Sequence, residues 1–388
     1  MPPSQPRTSR DLLLPAAQEA AELAARHAAG ADTDRTLHPD VRAALLGAGF
    51  ARHFVPERFG GTAGGCTELL HAVAALGTGC TSAAWCASVI AGAARMGAYL
   101  PEEGQRDLWA DGPDTAVAGA LVPRGSATEV SDGWRITGEW DFTSAVDFSG
   151  WALVCALVPA GDHQTPWFFA VPRGDYRVED TWTAVGMRGT GSNTLVTDNV
   201  FVPRHRAFPR GEMLAGRPTG STARCHTAPL RLLSGLLFAA PALGAARGAL
   251  RVWSDHRLAD ALSAGGDADT QRTAARAATA VDAAAMLLER AARVADAEAA
   301  TRVEAARNPA DCALAVEQLV DVVERLYRTI GSTGQLAPHP LQRVWRDVHG
   351  LASHVALRFD TAGAAYGAQL LQLPEPPAPL PRQERQCG

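Results

Sequence analysis

Between about residue 116 and residue 203 the apolar side chains of this 388-residue chain change their period. On either side they recur at helical spacing, whereas inside this stretch short apolar runs alternate with turn residues. The expected strands are Val117–Val122, Trp134–Thr137, Trp151–Val158, Trp167–Val171 and Thr194–Val202. Upstream, helices are expected from Asp11 to Gly30, from about His38 until Gly47 and Gly49 break it, and from Thr67 to Leu76. Phe54–Gly61 reads as a loop, and Cys80–Ile90 as a run of small residues around Trp85 suited to close packing. Downstream, Leu230–Leu258, Asp269–Ala299 and Asn308–Thr329 are amphipathic, and a last helix is expected from Leu341 to about Leu371. The first two are separated by a Gly/Asp-containing connection, Asp260–Asp267. These make an up-down bundle. Residues 1–10 should fray, and the Pro-rich tail after Leu373 should be irregular. The fold class is mainly α with a central β domain, divided as 1–114, 115–212 and 213–388.

Charge and chemistry exclude several classes. A net charge of -5 gives no field for nucleic acid. All 36 basic side chains are arginine, so neither Schiff-base chemistry nor a P-loop lysine is available. The seven cysteines are scattered and form no CxxC pair, which argues against a zinc site or a disulfide framework. No apolar signal core is visible, and charges interrupt each apolar run short of a membrane span. The expectation is a soluble cytoplasmic protein without membrane contact or bound metal.

Gly186, Gly189 and Gly191 crowd the stretch Trp182–Ser192, which therefore turns sharply or passes close to something. It is neither a Walker loop nor a GxGxxG fingerprint, so a hairpin and a ligand cradle both stand, with Arg188 its one candidate ligand contact. Trp85 suits either core or a pocket wall. Thr143 and Ser144, after Trp140 at a strand end, either cap the turn or bond the edge of a flat polar ring. Arg343, Arg346 and Asp347 share one helical face, and His354 follows. That histidine is either a packed, capping residue or a group that exchanges a proton near neutral pH.

The Gly-Met-Arg-Gly-Thr-Gly-Ser turn and the Val200-Phe-Val-Pro203 run resemble flavoproteins with the acyl-CoA dehydrogenase fold, more narrowly its reduced-flavin-dependent monooxygenases. Three further phrases are similar: Val55-Pro56 ahead of Gly60-Gly61, Trp140-Asp-Phe-Thr-Ser144, and Arg343-x-x-Arg-Asp347 with Ser353-His354. The resemblance implies an N-terminal helical domain, a small β domain and a C-terminal four-helix bundle. It implies an oxygenase component that uses reduced flavin and O2, through a flavin C4a-hydroperoxide, to hydroxylate an aromatic, polyketide-type or amine substrate. His354 and Ser144 become the catalytic candidates. Trp140, Thr143, Ser144, Gly119, Ala120 and Arg346 become cofactor contacts, while Trp85, Ser88, Arg188 and Ser353 line the substrate pocket.

Departures from the pattern matter too. Ala93 and Ala94 stand where a pocket histidine is often found, and Ala145 replaces a glycine. Val355 occupies the place of the proton-abstracting glutamate of many dehydrogenases, and no carboxylate occurs between Asp347 and Asp360. Arg257-Leu-Ala-Asp replaces the R-x-x-F-G phrase that meets the FAD pyrophosphate, which favours FMN over FAD. The implied partners are a separate flavin reductase, O2, a small-molecule substrate and three further copies of the chain in a homotetramer. The abundance of Ala and Arg fits a GC-rich bacterial source and specialised metabolism such as antibiotic biosynthesis. The alternatives are an acyl-CoA dehydrogenase or oxidase with a displaced base, and a flavin-free protein on the same fold.

Overall fold

Helix α1 (Leu13–Asp34) shows a stripe of buried alanines, Ala17, Ala20, Ala24, Ala28 and Ala31, which lets neighbouring backbone approach closely. The computed structural model describes residues 12–264 and 268–373; the fraying expected for 1–10 and the irregular tail expected after Leu373 lie outside them. Gly30 does not stop α1, which runs on to Asp34 and ends with Arg35 at φ +58°. Helix α2 (Pro39–Ala48) starts where the His38 ring accepts the Asp40 N–H and Pro39 sets φ, and stops at Gly49, φ +97°. Then come α3 (Cys66–Gly77), α4 (Thr81–Gly97) and the short α5 (Glu102–Leu108). Trp85 and Ser88 lie on α4, which is buried on nearly every face.

The middle of the chain is a seven-stranded sheet: β1 (Val117–Val130), β2 (Gly133–Thr143), β3 (Trp151–Ala160), β4 (His163–Pro172), β5 (Arg177–Glu179), β6 (Asn193–Pro203) and β7 (Ala207–Pro209). Its order is β5-β6-β2-β1-β3-β4-β7, antiparallel except for the β1–β3 pair. The strands are longer than the apolar runs, and β5 and β7 carry no run that announces them. Trp140 lies across Gly125 and Gly138, where an added Cβ would stand 2.5 and 2.7 Å from its ring, and it donates its indole N–H to the Cys155 carbonyl (2.7 Å). It is therefore a core residue of the sheet, not a cofactor contact. The β2–β6 register slips between Trp140 and Thr143, with Phe142 at φ +60°. This bulge turns the Phe142 ring outward, where it is 66% exposed.

After α6 (Arg210–Ala215) and α7 (Arg224–Thr227) the bundle is formed by α8 (Ser234–Ala264), α9 (Ala268–Asp296) and α10 (Arg302–Thr329). Part of the expected Asp260–Asp267 connection is thus helical, and residues 265–267 lie outside the described chain. Leu230–Leu258 is long and apolar enough to cross a membrane by length and composition, contrary to the sequence reading, yet 78% of its most apolar window is buried inside the protein. The expected last helix is two: α11 (Pro340–Ala352) and α12 (Phe359–Leu370), separated by a 3-10 turn at Val355–Leu357.

A proline inside α8 explains the place of Ser88. Pro241 has no N–H to give to the carbonyl four residues earlier, that of Leu237, and the Ser88 hydroxyl donates to that oxygen instead (2.6 Å). Ser88 is therefore an anchor between α4 and α8, and the cavity it borders holds only about 10 Å³. Replacing Ser88 by alanine should orphan the carbonyl and destabilise the protein by about 1–3 kcal/mol, read as a lower urea midpoint.

Candidate active site

The register pair Thr143↔Asn193 sets the residues that follow β2 beside those that precede β6. Ser144 and Ser192 meet there, their hydroxyls 2.7 Å apart. Trp85 on α4 donates its indole N–H to the Ser144 oxygen (2.9 Å). Ser192 also contacts the Thr190 hydroxyl (2.6 Å), and Thr190 donates to the Met187 carbonyl (2.8 Å). Thr143, by contrast, is buried and donates to the Trp140 carbonyl (2.9 Å), so it caps the turn and faces no ligand. Ala145 takes the left-handed backbone that a glycine would take, φ +62°, held by its N–H to the Thr190 carbonyl (3.0 Å).

Above Trp85 lies an aromatic corner. The His354 ring packs on Phe238 of α8 at 3.8 Å between centroids and stands edge-on to Trp85 at 5.7 Å. Phe238 in turn lies 5.2 Å from Trp85. His354 reaches this corner because the helix breaks: its Nδ1 accepts the Ala356 N–H (3.2 Å) and caps the 3-10 turn. A neutral ring whose Nδ1 accepts carries its proton on Nε2, so His354 presents a donor to the site. Burial lowers its pKa to about 4, which keeps the ring neutral across the physiological range. Ser353, the preceding pocket candidate, is exposed and donates to the Gly350 carbonyl (2.7 Å). A cleft of about 310 Å³ beside the break is lined by Val316, Val320, Arg358 and Phe359 among others, none of them a residue that the sequence singled out.

The glycine-rich turn is a clasp. It is the wide loop of the β5–β6 hairpin, packed on α1 and α11. Gly186 passes so close to α11 that a Cβ would overlap the Arg346 carbonyl oxygen, and the Met187 N–H donates to Asp347 (2.6 Å). Arg346 grips Asp32 of α1 through both terminal nitrogens (3.1 and 2.7 Å) and donates to the Val185 carbonyl (2.5 Å). Arg188 donates to the carbonyls of Asp32 (2.7 Å) and Ala184 (3.1 Å). Arg346 thus joins the three parts of the chain and Arg188 ties the turn to α1, structural bonds at positions where ligand contacts were expected. Gly119, half-buried on β1, faces Ala93 of α4, and Ala120 packs into the sheet core.

The Asp347 carboxyl is buried, and that burial raises its pKa to about 7 against the lowering effect of the Met187 N–H and of Arg343 and Arg346. The folded protein therefore holds a proton here that the unfolded chain, near the ordinary value of about 3.9, has already lost. Stability from this group should fall as pH rises from about 4 to about 7, and Asp347→Asn should remove that slope from a plot of melting temperature against pH. His354 and the buried His226, also lowered to about 4 by burial, act oppositely: their contribution is present above about 6.5 and is lost as pH falls towards 4.

The donor-and-ring set suits a flat heteroaromatic group with one hydrogen-bonding edge. Ser144 is half-buried with an oxygen lone pair to spare, and the exposed Phe142 ring lies beside it in the sequence, 6.0 Å from Trp182. Sequence reasoning named Ser144, Trp85 and His354, which do converge. It missed Phe142, whose signal is an aromatic at a strand end, and Phe238, which nothing distinguishes from the other apolar residues of α8. It missed the roles of Thr190 and Ser192 although both stood within the turn it quoted. Elsewhere, His27, His38 and Asp40 bring possible metal ligands within 4.8 Å of one another, with the His38 Nδ1 already accepting the Asp40 N–H (3.2 Å).

Residues 236–359 match the family described as acyl-CoA dehydrogenase, C-terminal domain. The chain is 33% identical to the FADH(2)-dependent resorcinol hydroxylase, oxygenase component, of Rhizobium sp. (strain MTP-10005), across 85% of this chain and 87% of that one. It is 30% identical to the flavin-dependent monooxygenase oxygenase subunit HsaA of Rhodococcus jostii (strain RHA1), across 94% and 97%. Among solved structures, the HsaA monooxygenase from M. tuberculosis superposes with a TM-score of 0.90 at 26% identity, across 95% of this chain and 99% of that one.

Proposed function

The chain belongs to the family of flavin-dependent monooxygenase oxygenase components built on the acyl-CoA dehydrogenase fold, and on that premise we propose that it hydroxylates a phenolic or similarly electron-rich aromatic compound. The observation that carries the substrate class is the corner of Trp85, Phe238 and His354, two apolar rings with one hydrogen-bond donor beside them. Such a corner packs a flat ring and fixes one oxygen on it.

Reduced flavin, delivered by a separate reductase, would supply two electrons to O2, so that one oxygen atom enters the substrate and the other leaves as water. The chain's own work is placement. Ser144 would accept a hydrogen bond from the flavin edge, and Phe142 would offer a ring face beside it. The His354 Nε2–H donates to the substrate oxygen and favours its phenolate form, which is the more nucleophilic. Burial of Trp85, Met187 and Thr190 keeps water from the hydroxyl row.

We favour reduced FMN because the R-x-x-F-G phrase is missing; Arg257, at its place, donates to the Thr329 carbonyl. FAD, the cofactor in the resorcinol hydroxylase's name, is the competing form. A homotetramer in the cytoplasm, serving specialised metabolism, completes the proposal, and gel filtration with light scattering tests the assembly. The function is tested by single turnover: photoreduced FMN or FAD, the protein, O2 and a panel of phenols, without reductase. The expected result is a hydroxylated phenol approaching one equivalent per bound flavin. Consumption of O2 with no organic product from any phenol would contradict the substrate class.

A further inference from the structure

Three rings fill the aromatic corner. The His354 ring lies 3.8 Å from Phe238 between centroids and tilts by 33° to it, and the two close on Trp85 at 5.7 and 5.2 Å. A flat substrate ring needs about 3.5 Å to each neighbouring face, so two rings that hold one between them stand about 7 Å apart. For a phenol to lie between His354 and Phe238, their separation must therefore grow by roughly 3 Å. Phe238 is poorly placed to yield, because it follows Leu237 on α8, whose carbonyl is held by Ser88 (2.6 Å). Trp85 is fixed by its bond to Ser144 (2.9 Å) and by the burial of α4 on nearly every face. His354 is held differently. Among the described residues, the hydrogen bonds of residues 353–358 stay within 350–362: Ser353 and His354 bond back to Gly350 and Leu351, Ala356 and Leu357 to His354, and Ala362 to Arg358. None reaches α8, α10 or the sheet.

Behind this turn there is room. It packs between α8, which carries Phe238, and α10. On the α10 side lies the cleft of about 310 Å³, whose wall includes the apolar Val316, Val320, Leu357 and Phe359 together with Arg358, Glu317 and Asp321. Among the described residues neither Arg358 nor these two carboxylates forms an ion pair. Closing the cleft would bury apolar side chains on both of its walls, which offsets part of the work of parting His354 from Phe238. It would also carry a guanidinium towards two carboxylates. We propose that residues 353–358 are a gate: a substrate ring parts His354 from Phe238, the turn moves into the cleft, and Arg358 pairs there with Glu317 or Asp321. Resting on the functional reading above, this adds how the ring enters, and it makes Arg358 a positioning residue. His354 and Ala356 travel together, so the Nδ1 cap survives and Nε2–H still points into the corner. The depth of the cleft limits the travel, and with it the thickness of the ring admitted.

The test separates substrate from cofactor. Under anaerobic conditions, dissociation constants are measured for reduced FMN and FAD, and then, on the flavin-loaded protein, for the phenol of the panel that gives most product. The proteins are the unaltered chain, Val320→Phe, Arg358→Ala and Arg358→Lys, each checked for its melting transition. Val320→Phe puts a ring into the space the turn needs and should weaken phenol binding about ten-fold, the scale of overpacking, while flavin affinity stays unchanged. Arg358→Ala should weaken phenol binding up to about five-fold, the scale of one exposed ion pair, and Arg358→Lys should restore most of it. Amide hydrogen exchange reads the movement itself: phenol should alter exchange across residues 353–358 in the unaltered chain and fail to do so in Val320→Phe. A purely structural role would weaken flavin and phenol together. The proposal is overturned if a folded Val320→Phe binds phenol as tightly as the unaltered chain, or if phenol leaves exchange at 353–358 unchanged. Should Val320→Phe not fold, exchange in the unaltered chain and the loss in Arg358→Ala decide. In each of these cases phenol binding leaves the functional reading intact, whereas a flavin-loaded chain that binds no phenol contradicts that reading and the gate with it.

Discussion

His354→Ala is expected to lower product formation about 100-fold while reduced flavin still binds, the scale of losing one donor aimed at developing charge. The reason is geometric. His354 enters the aromatic corner only because its Nδ1 caps the turn after α11, and that bond leaves Nε2–H pointing to a partner outside the turn. Alanine removes the donor and opens the corner beside Phe238, while the hydroxyl row at Ser144 is untouched. The role also has a pH signature. With its pKa lowered to about 4, the ring is neutral throughout the working range, so the profile of kcat/KM should show no acid limb near 6.5. Such a limb would mean that His354 titrates as an ordinary general base.

Gly186→Ala should destabilise the protein where the glycine-rich turn meets α11. Gly186 matters by closeness: an added Cβ overlaps the Arg346 carbonyl and comes within 3.1 Å of the Asp347 nitrogen. To relieve that overlap the turn must lift from α11, which stretches the Met187–Asp347 bond and the Arg346–Asp32 pair together. Overpacking of this kind costs about 1–3 kcal/mol. A lower melting temperature and faster tryptic cleavage after Arg188 are the expected readings. Gly174→Ala is the matched control, because nothing lies within 4 Å of a Cβ placed there, and it should change neither.

How much of this was legible beforehand depended on whether the signal was local. The change of period at residues 116 and 203 is a property of neighbours in sequence, and it located the sheet between two helical parts. Strand ends were less visible because hydrogen bonding continues through polar residues such as Gln164 and Thr165 of β4, which pair with Pro159 and Val158. The break after α11 was invisible: no proline or glycine marks Ser353–Arg358, and the helix stops because a histidine ring caps a new turn. Arg346 and Arg188 looked like ligand contacts because their partner, Asp32, lies over 150 residues away in sequence. Ser88 looked like a pocket residue because its partner is a carbonyl freed by Pro241, a relation between two helices. Ser144, Trp85 and His354 were legible through resemblance, whereas the row that orients Ser144 needed the β2–β6 register to be seen.

Under 18O2, the protein loaded with reduced flavin and presented with an accepted phenol should yield a product carrying one 18O atom, with none taken from labelled water. Product oxygen drawn from water, or bleaching of oxidised bound flavin by an acyl-CoA in the absence of O2, would contradict the account.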